Sequence, residues 1–144
     1  AISIIIFISI VDILMKYFAI TSLPPDSSPN LSPIIDLVFH KNFGIAFNLP
    51  LPLYIVIPVS IGILFVACAT MLKIKSTQPN ISLGLLFIIF GSINNLIDRI
   101  INGFTTDYLI FFQTSIINLA DVLILLGVIV IMVYHNNSTI EHQK

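Results

Sequence analysis

Residues 81–101 read ISLGLLFIIFGSINNLIDRII, and no charge precedes Asp98 in that stretch. At about 1.5 Å per residue it is long enough to cross the roughly 30 Å hydrocarbon core of a bilayer. Residues 2–23, 53–72 and 116–134 are comparably apolar, so the spacing predicts four membrane-spanning helices. The composition agrees: 57% of residues are hydrophobic, 9% are charged and the mean hydropathy is +1.06, whereas soluble domains carry about 25% charged residues. A water-soluble fold is excluded. The 144 residues hold four spans with short connections, which predicts a single membrane domain over 1–144.

A formal charge of -1 with no basic run removes the electrostatic attraction on which nucleic-acid binding rests, so no nucleic acid is expected as a partner. Cys68 is the lone cysteine, so no intrachain disulfide can form, and it reads as a small packing residue. The first apolar stretch is not a cleavable leader: no cationic segment precedes it, and Asp12 and Lys16 interrupt it. It is expected to remain as a helix.

Outward from the spans, residues 24–33 are rich in Pro and Ser, and residues 34–49 mix β-branched and aromatic side chains with Asn42 and Gly44. A turn and short strands at the bilayer surface are expected there, between helices one and two. The connection 73–80 is short and polar, and the tail from His135 to Lys144 is expected to lack order. Four spans put both termini on one side. Lys16 and Arg99 read as paired in the membrane with Asp12 and Asp98. Lys73 and Lys75 then place the second connection and both termini in the cytoplasm under the positive-inside rule.

An ionisable group inside a span costs on the order of 2.5–3.5 kcal/mol on insertion scales and usually marks a functional site. Asp12 precedes Lys16 by four residues, the spacing at which opposite charges meet on a helix; a structural and a functional role are equally open to it. Asp98 shares a helix face with Asn95, three residues back, which suggests a polar tie between helices. Asp107 and Asp121 have no Lys or Arg within six residues of either. Asp107 falls in the last connection and Asp121 roughly 7 Å into the fourth span, so a hairpin of helices three and four would bring both to one membrane face. Two close carboxylates in a low-dielectric site keep one proton between them, the state in which one activates water and the other donates to a scissile carbonyl. A polar tie or an ion path remains the alternative on residue chemistry alone.

Five short motifs resemble the lipoprotein signal peptidase family across nearly the whole chain: Asp12-Ile13-Leu14-Met15-Lys16, Asn42-Phe43-Gly44-Ile45-Ala46-Phe47, Asn95-Leu96-Ile97-Asp98-Arg99, Thr106-Asp107-Tyr108 and Asn118-Leu119-Ala120-Asp121. The resemblance implies an aspartyl endopeptidase with Asp107 and Asp121 catalytic. It places Asn42, Gly44, Asn95, Asp98, Arg99 and Asn118 around substrate or dyad, with Asp12 and Lys16 supporting the architecture. It further implies a bacterial inner-membrane enzyme with its site near the extracytoplasmic face. Such an enzyme removes the signal peptide of a membrane-anchored prolipoprotein just before a diacylglyceryl-modified cysteine, acting as a monomer without cofactor. The chain departs from the family in having only Gly91 among the glycines usual before Asn95, in Thr105, Thr106 and Ile117, and in a short segment between Asp107 and Asp121.

Other chemistries fit less well. A serine–lysine peptidase needs a neutral lysine, but Lys16 has Asp12 one turn away. There is no G-x-S-x-G elbow, and His40, His135 and His142 are too scattered for an H-E-x-x-H site. No metal is expected; His40, two residues before Asn42, could approach the site, but a surface histidine is the favoured reading. A channel or proton path lined by Asp12, Asp98, Asp107 and Asp121 is the rival from another class.

Overall fold

The computed structural model describes residues 2–23, 35–44, 51–111 and 115–141. In chain order the elements are α1 (Ile2–Ser22), β1 (Ile35–Asn42), α2 (Leu53–Ile74), α3 (Pro79–Asn102), β2 (Thr105–Phe111), β3 (Ser115–Ile117) and α4 (Leu119–Glu141). The first three helices are long and apolar enough to cross a membrane, and α4 contributes a shorter apolar segment, Leu119–His135. The fold is therefore a helical membrane bundle carrying one small sheet.

That sheet is antiparallel in the order β1-β2-β3. Only β1 comes from the connection between the first two helices, where strands were expected; β2 and β3 come from the connection between α3 and α4. The other residues of the expected strand region, 34 and 45–49, and the turn at 24–33 lie outside the described residues. Because Ser115–Ile117 pairs with Leu109–Phe111, α4 starts at Leu119, after the expected start at 116. Its other end also differs from expectation, since the helix continues past His135 to Glu141. Propagating an established helix fixes one residue per added hydrogen bond, which favours extension.

Gly103 ends α3. It adopts the left-handed conformation (φ 79°) and its N–H donates to Arg99 O at 3.1 Å, the usual glycine stop after a helix. Two residues later the chain is a strand.

Small residues set the contact between α3 and α4. A Cβ on Gly91 would lie 2.4 Å from Ala120 O, and one on Gly127 would lie 2.5 Å from Gly84 O. Gly84 and Gly91 are seven residues apart, as are Ala120 and Gly127, so each pair forms one stripe and the two backbones touch along it. The single glycine before Asn95 thus suffices for close packing. α2 lies against α3 and exposes Tyr54, Phe65 and Val66; α1 exposes Phe7, Leu14 and Tyr17. Polar residues fill the interior instead: Asp12, Lys16, Asn94, Asn95, Asp98, Thr106, Asp107 and Asn118 are all buried. This inversion suits a molecule whose outer solvent is hydrocarbon.

Replacing Gly91 by Val should destabilise the fold by about 2–3 kcal/mol, because the Ala120 backbone cannot retreat. Gly62→Ala should change stability little, as nothing lies within 4 Å of a Cβ there. Unfolding of both variants in detergent micelles checks the contrast.

Candidate active site

Asp12 is wholly buried, and its carboxylate gathers four elements. Oδ1 accepts from Tyr108 OH on β2 at 2.9 Å and from Ala120 N on α4 at 3.2 Å; Oδ2 accepts from Asn94 Nδ2 on α3 at 3.1 Å. Lys16 Nζ, one turn along α1, sits 3.3 Å from Oδ2. A buried carboxylate is tolerable only when it is paired and hydrogen-bonded in this way.

Lys16 makes a second ion pair, with Asp98 Oδ2 at 3.5 Å. It also donates to Asn95 Oδ1 at 2.7 Å. The expected pairing of Arg99 with Asp98 does not form, because neighbours on a helix point roughly 100° apart. Asp98 turns inward, accepting from Thr106 N at 2.5 Å, Thr106 Oγ1 at 3.2 Å and Asn102 Nδ2 at 2.6 Å. It thereby ties the end of α3 to the start of β2, while its ion pair with Lys16 on α1 is the contact that joins two helices. Arg99 turns the other way and donates from Nη2 to Gly44 O at 3.3 Å, while its buried Nε has no hydrogen-bond partner.

Asp107 and Asp121 share one connector. Asn118 Nδ2 donates to Asp107 Oδ1 at 2.6 Å, and Asn118 Oδ1 accepts from Asp121 N at 2.9 Å. Asn118 N also lies 3.4 Å from Asp121 Oδ2. This is the capping arrangement of a helix start, with Asn118 at the cap and Asp121 three residues on. Each carboxylate receives a second amide: Asn42 Nδ2 reaches Asp107 Oδ2 at 2.9 Å, and Asn95 Nδ2 reaches Asp121 Oδ1 at 2.8 Å. Asn42 is itself fixed by Gly44 N, which donates to Oδ1 at 3.0 Å.

Neutral amides therefore hold both acids. In space, however, cations do act on them, which the chain-neighbour reading could not register: the Asp121, Asp107 and Asp98 charges act on the Arg99 guanidinium, and Lys16 acts on Asp107. Burial outweighs these and pushes the Asp107 carboxyl up to about 7, with the charge of Asp121 adding to the rise and the Asn42, Asn118 and Lys16 interactions opposing it. Burial also raises Tyr108, whose hydroxyl faces Asp12. A carboxyl that titrates near neutrality beside a second acid can exchange a proton with water or substrate at physiological pH. Among the described residues no cluster of three or more His, Cys, Asp or Glu could hold a metal ion.

All ten residues singled out from the sequence thus fall in one connected region. Ile45, Ala46 and Phe47 of the second motif lie outside the described residues. Sequence reasoning gave no role to Tyr108, Thr106, Asn102 or Asn94, which complete the network. Tyr108 alternates with Asp107 along β2, so it faces the helices as Asp107 faces Asn42, and only the strand assignment makes that legible. His40, read as a surface residue, is half-buried and pairs across the sheet with Asp107.

The profile of the family described as signal peptidase (SPase) II matches residues 4–136. The lipoprotein signal peptidase of Bartonella henselae is 33% identical over 146 residues, covering 93% of this chain and 86% of that protein. That of Thermodesulfovibrio yellowstonii is 34% identical, covering 90% and 88%. Two bacterial membrane enzymes solved by the in meso method share the fold. One has a TM-score of 0.82 at 23% identity, over 96% of this chain and 88% of that one. The other has 0.79 at 25% identity, over 92% and 89%.

Asp12→Ala should cost on the order of 3–5 kcal/mol, since it leaves Lys16 buried with half its countercharge gone. Tyr108→Phe, which removes the bond to Asp12 and the one the hydroxyl accepts from Leu119 N, should cost about 1–3 kcal/mol. Thermal unfolding of the two variants in micelles checks the order.

Proposed function

The chain belongs to the signal peptidase II family, and on that premise we propose that it is an aspartyl endopeptidase in which Asp107 and Asp121 activate one water molecule. It is a membrane protease of lipoprotein processing. The finer reading is that it cuts a diacylglyceryl-modified prolipoprotein just before the lipidated cysteine. The observation that carries this is the Asn118 bridge, which joins the two acids through one side chain while burial holds a proton on the pair near neutral pH.

In the reaction the ionised carboxylate takes a proton from the water as its oxygen attacks the scissile carbonyl carbon. The protonated partner donates to the carbonyl oxygen, where negative charge builds. Collapse of the tetrahedral species breaks the C–N bond, and the amine leaves with a proton returned from the pair. Asn42, Asn95 and Asn118 keep both acids oriented without neutralising them. Arg99 and Gly44 line the approach. Among the described residues β1 is an edge strand, placed to take an extended peptide by strand addition.

Support for the orientation comes from exposed Lys73 and Lys75 at the turn between α2 and α3, the bundle end away from the sheet. By the positive-inside rule they favour a reading with both termini in the cytoplasm and the dyad near the extracytoplasmic face of the inner membrane. The lipid bilayer and the anchored preprotein are the partners of this reading. One chain supplies every group described, so a monomer suffices.

Asp107→Asn and Asp121→Asn should each lower cleavage of a lipidated preprotein by about 10³-fold or more while the protein stays folded; normal cleavage by either would end the assignment. Wild-type cleavage should decline as pH rises through about 7, where the pair loses its shared proton, with an apparent value that belongs to both acids. Stability should follow the same titration. The folded Asp107 retains a proton up to about 7 that the unfolded chain releases near 3.8, so this group's contribution to stability declines as pH rises across that window. Asp107→Asn should abolish that decline in pH-dependent unfolding.

A further inference from the structure

We infer that Lys16 is a positioning residue for the proposed reaction as well as a tie between helices: it acts on Asp121 through the Asn95 side chain, which passes the pull of the ammonium on to the carboxylate. The inference rests on the dyad reading above and adds the group that stands behind one of its acids.

Two hydrogen bonds make the connection. Lys16 Nζ donates to Asn95 Oδ1 at 2.7 Å, and Asn95 Nδ2 donates to Asp121 Oδ1 at 2.8 Å. Chemistry fixes the direction of that amide. An ammonium has donors and no acceptor, so the Asn95 oxygen must face Lys16 and the NH2 group must face Asp121. Turning the amide over would set NH2 against the ammonium and oxygen against the carboxylate, and both bonds would be lost.

The three asparagines around the acids differ in what holds their oxygens. Asn42 Oδ1 accepts from Gly44 N and Asn118 Oδ1 from Asp121 N, both backbone amides. Asn95 Oδ1 accepts from a lysine that is itself ion-paired. A charge-assisted bond is stronger than a neutral one, and in a chain of hydrogen bonds each polarises the next, so the ammonium makes the Asn95 N–H a better donor. Asp121 is thereby the acid with a charged residue directly behind its amide contact. The Lys16 charge acts on both acids through space as well.

Lys16 is held firmly enough to serve as such a reference point. Its side chain is buried, with Asp12 Oδ2 at 3.3 Å and Asp98 Oδ2 at 3.5 Å. Asn95 and Asp98 lie three residues apart on one face of α3, so one lysine meets both. A substitution at Asn95 therefore cuts the path to Asp121 and spares both ion pairs, which separates the effect on the dyad from the architectural role of the lysine.

The test is a double-mutant cycle of kcat and KM for a lipidated preprotein, with the full chain in lipid bilayers: wild type, Asn95→Leu, a Lys16 variant and the two combined, with Asp107→Asn as control. Leucine at 95 fills the space of the amide and excludes a bridging water; Asn95→Val replaces it if the larger side chain prevents folding. The Lys16 variant is Lys16→Gln, or Lys16→Arg if thermal unfolding shows that the uncharged side chain is not tolerated. Arginine keeps a countercharge for Asp12 and Asp98, but its planar fork is no substitute for the compact ammonium at Asn95. Asn95→Leu should lower kcat on the order of 10–100-fold with KM within about twofold of wild type. The Lys16 variant should lower kcat by a similar factor in the wild-type background and by less than about twofold in the Asn95→Leu background. Isotope-edited infrared spectra should show the Asp121 carboxylate band displaced in the same direction in both single variants. Equal kcat losses from the Lys16 variant in the two backgrounds, no loss in either, or a change in KM alone would overturn the proposal. If that happens while Asp107→Asn is inactive, the dyad stands and only the relay fails; if Asp107→Asn cleaves normally, the dyad reading itself fails.

Discussion

A single oxygen, Asp12 Oδ1, accepts from Tyr108 OH and from Ala120 N. Tyr108 is the residue after Asp107, and Ala120 is the residue before Asp121. One buried atom on α1 therefore fixes the backbone beside each proposed catalytic acid, although 14 positions separate those acids along the chain. The other Asp12 oxygen is held by Lys16 and Asn94, which holds the carboxylate in place. Second-layer contacts of this kind limit the freedom of a reacting pair to fractions of an ångström, the tolerance that catalytic geometry requires.

The same network explains why the bundle can hold so many polar groups at its centre. Each buried acid is satisfied by groups from outside its own element: Asp98 by Thr106 and Lys16, Asp107 by Asn42 and Asn118, Asp121 by Asn95 and Asn118. In hydrocarbon an unsatisfied polar group is costly, so the helices and the sheet are bound to one another through these bonds as much as by apolar packing. The division of labour is clear in the donors. Lys16 supplies charge to Asp12 and Asp98, which hold the architecture. Amides supply the contacts to Asp107 and Asp121, which leaves those two free to carry a proton.

Much of this was legible in the sequence, for physical reasons. Spans are readable because each must be apolar over its whole length, and intramembrane acids stand out because each needs a reason to be there. The five short motifs located the ten residues that meet in the site. The contributions from β2 and β3 were not legible: Tyr108 and Thr106 matter only once residues 105–111 are a strand, and residues 115–117 look like the start of an apolar span until Leu109–Phe111 claims them. The partner of Arg99 was misread because adjacency along a helix is not adjacency in space.

The account turns on one proton shared by two acids. Infrared difference spectroscopy on the membrane-embedded protein, with isotope-labelled aspartate and the Asp107→Asn and Asp121→Asn variants to identify the bands, measures that directly. The account predicts one protonated carboxyl from this pair at pH 6, lost as the pH rises through about 7. Two fully ionised carboxylates at pH 6, each titrating in the ordinary aspartate range, would contradict it.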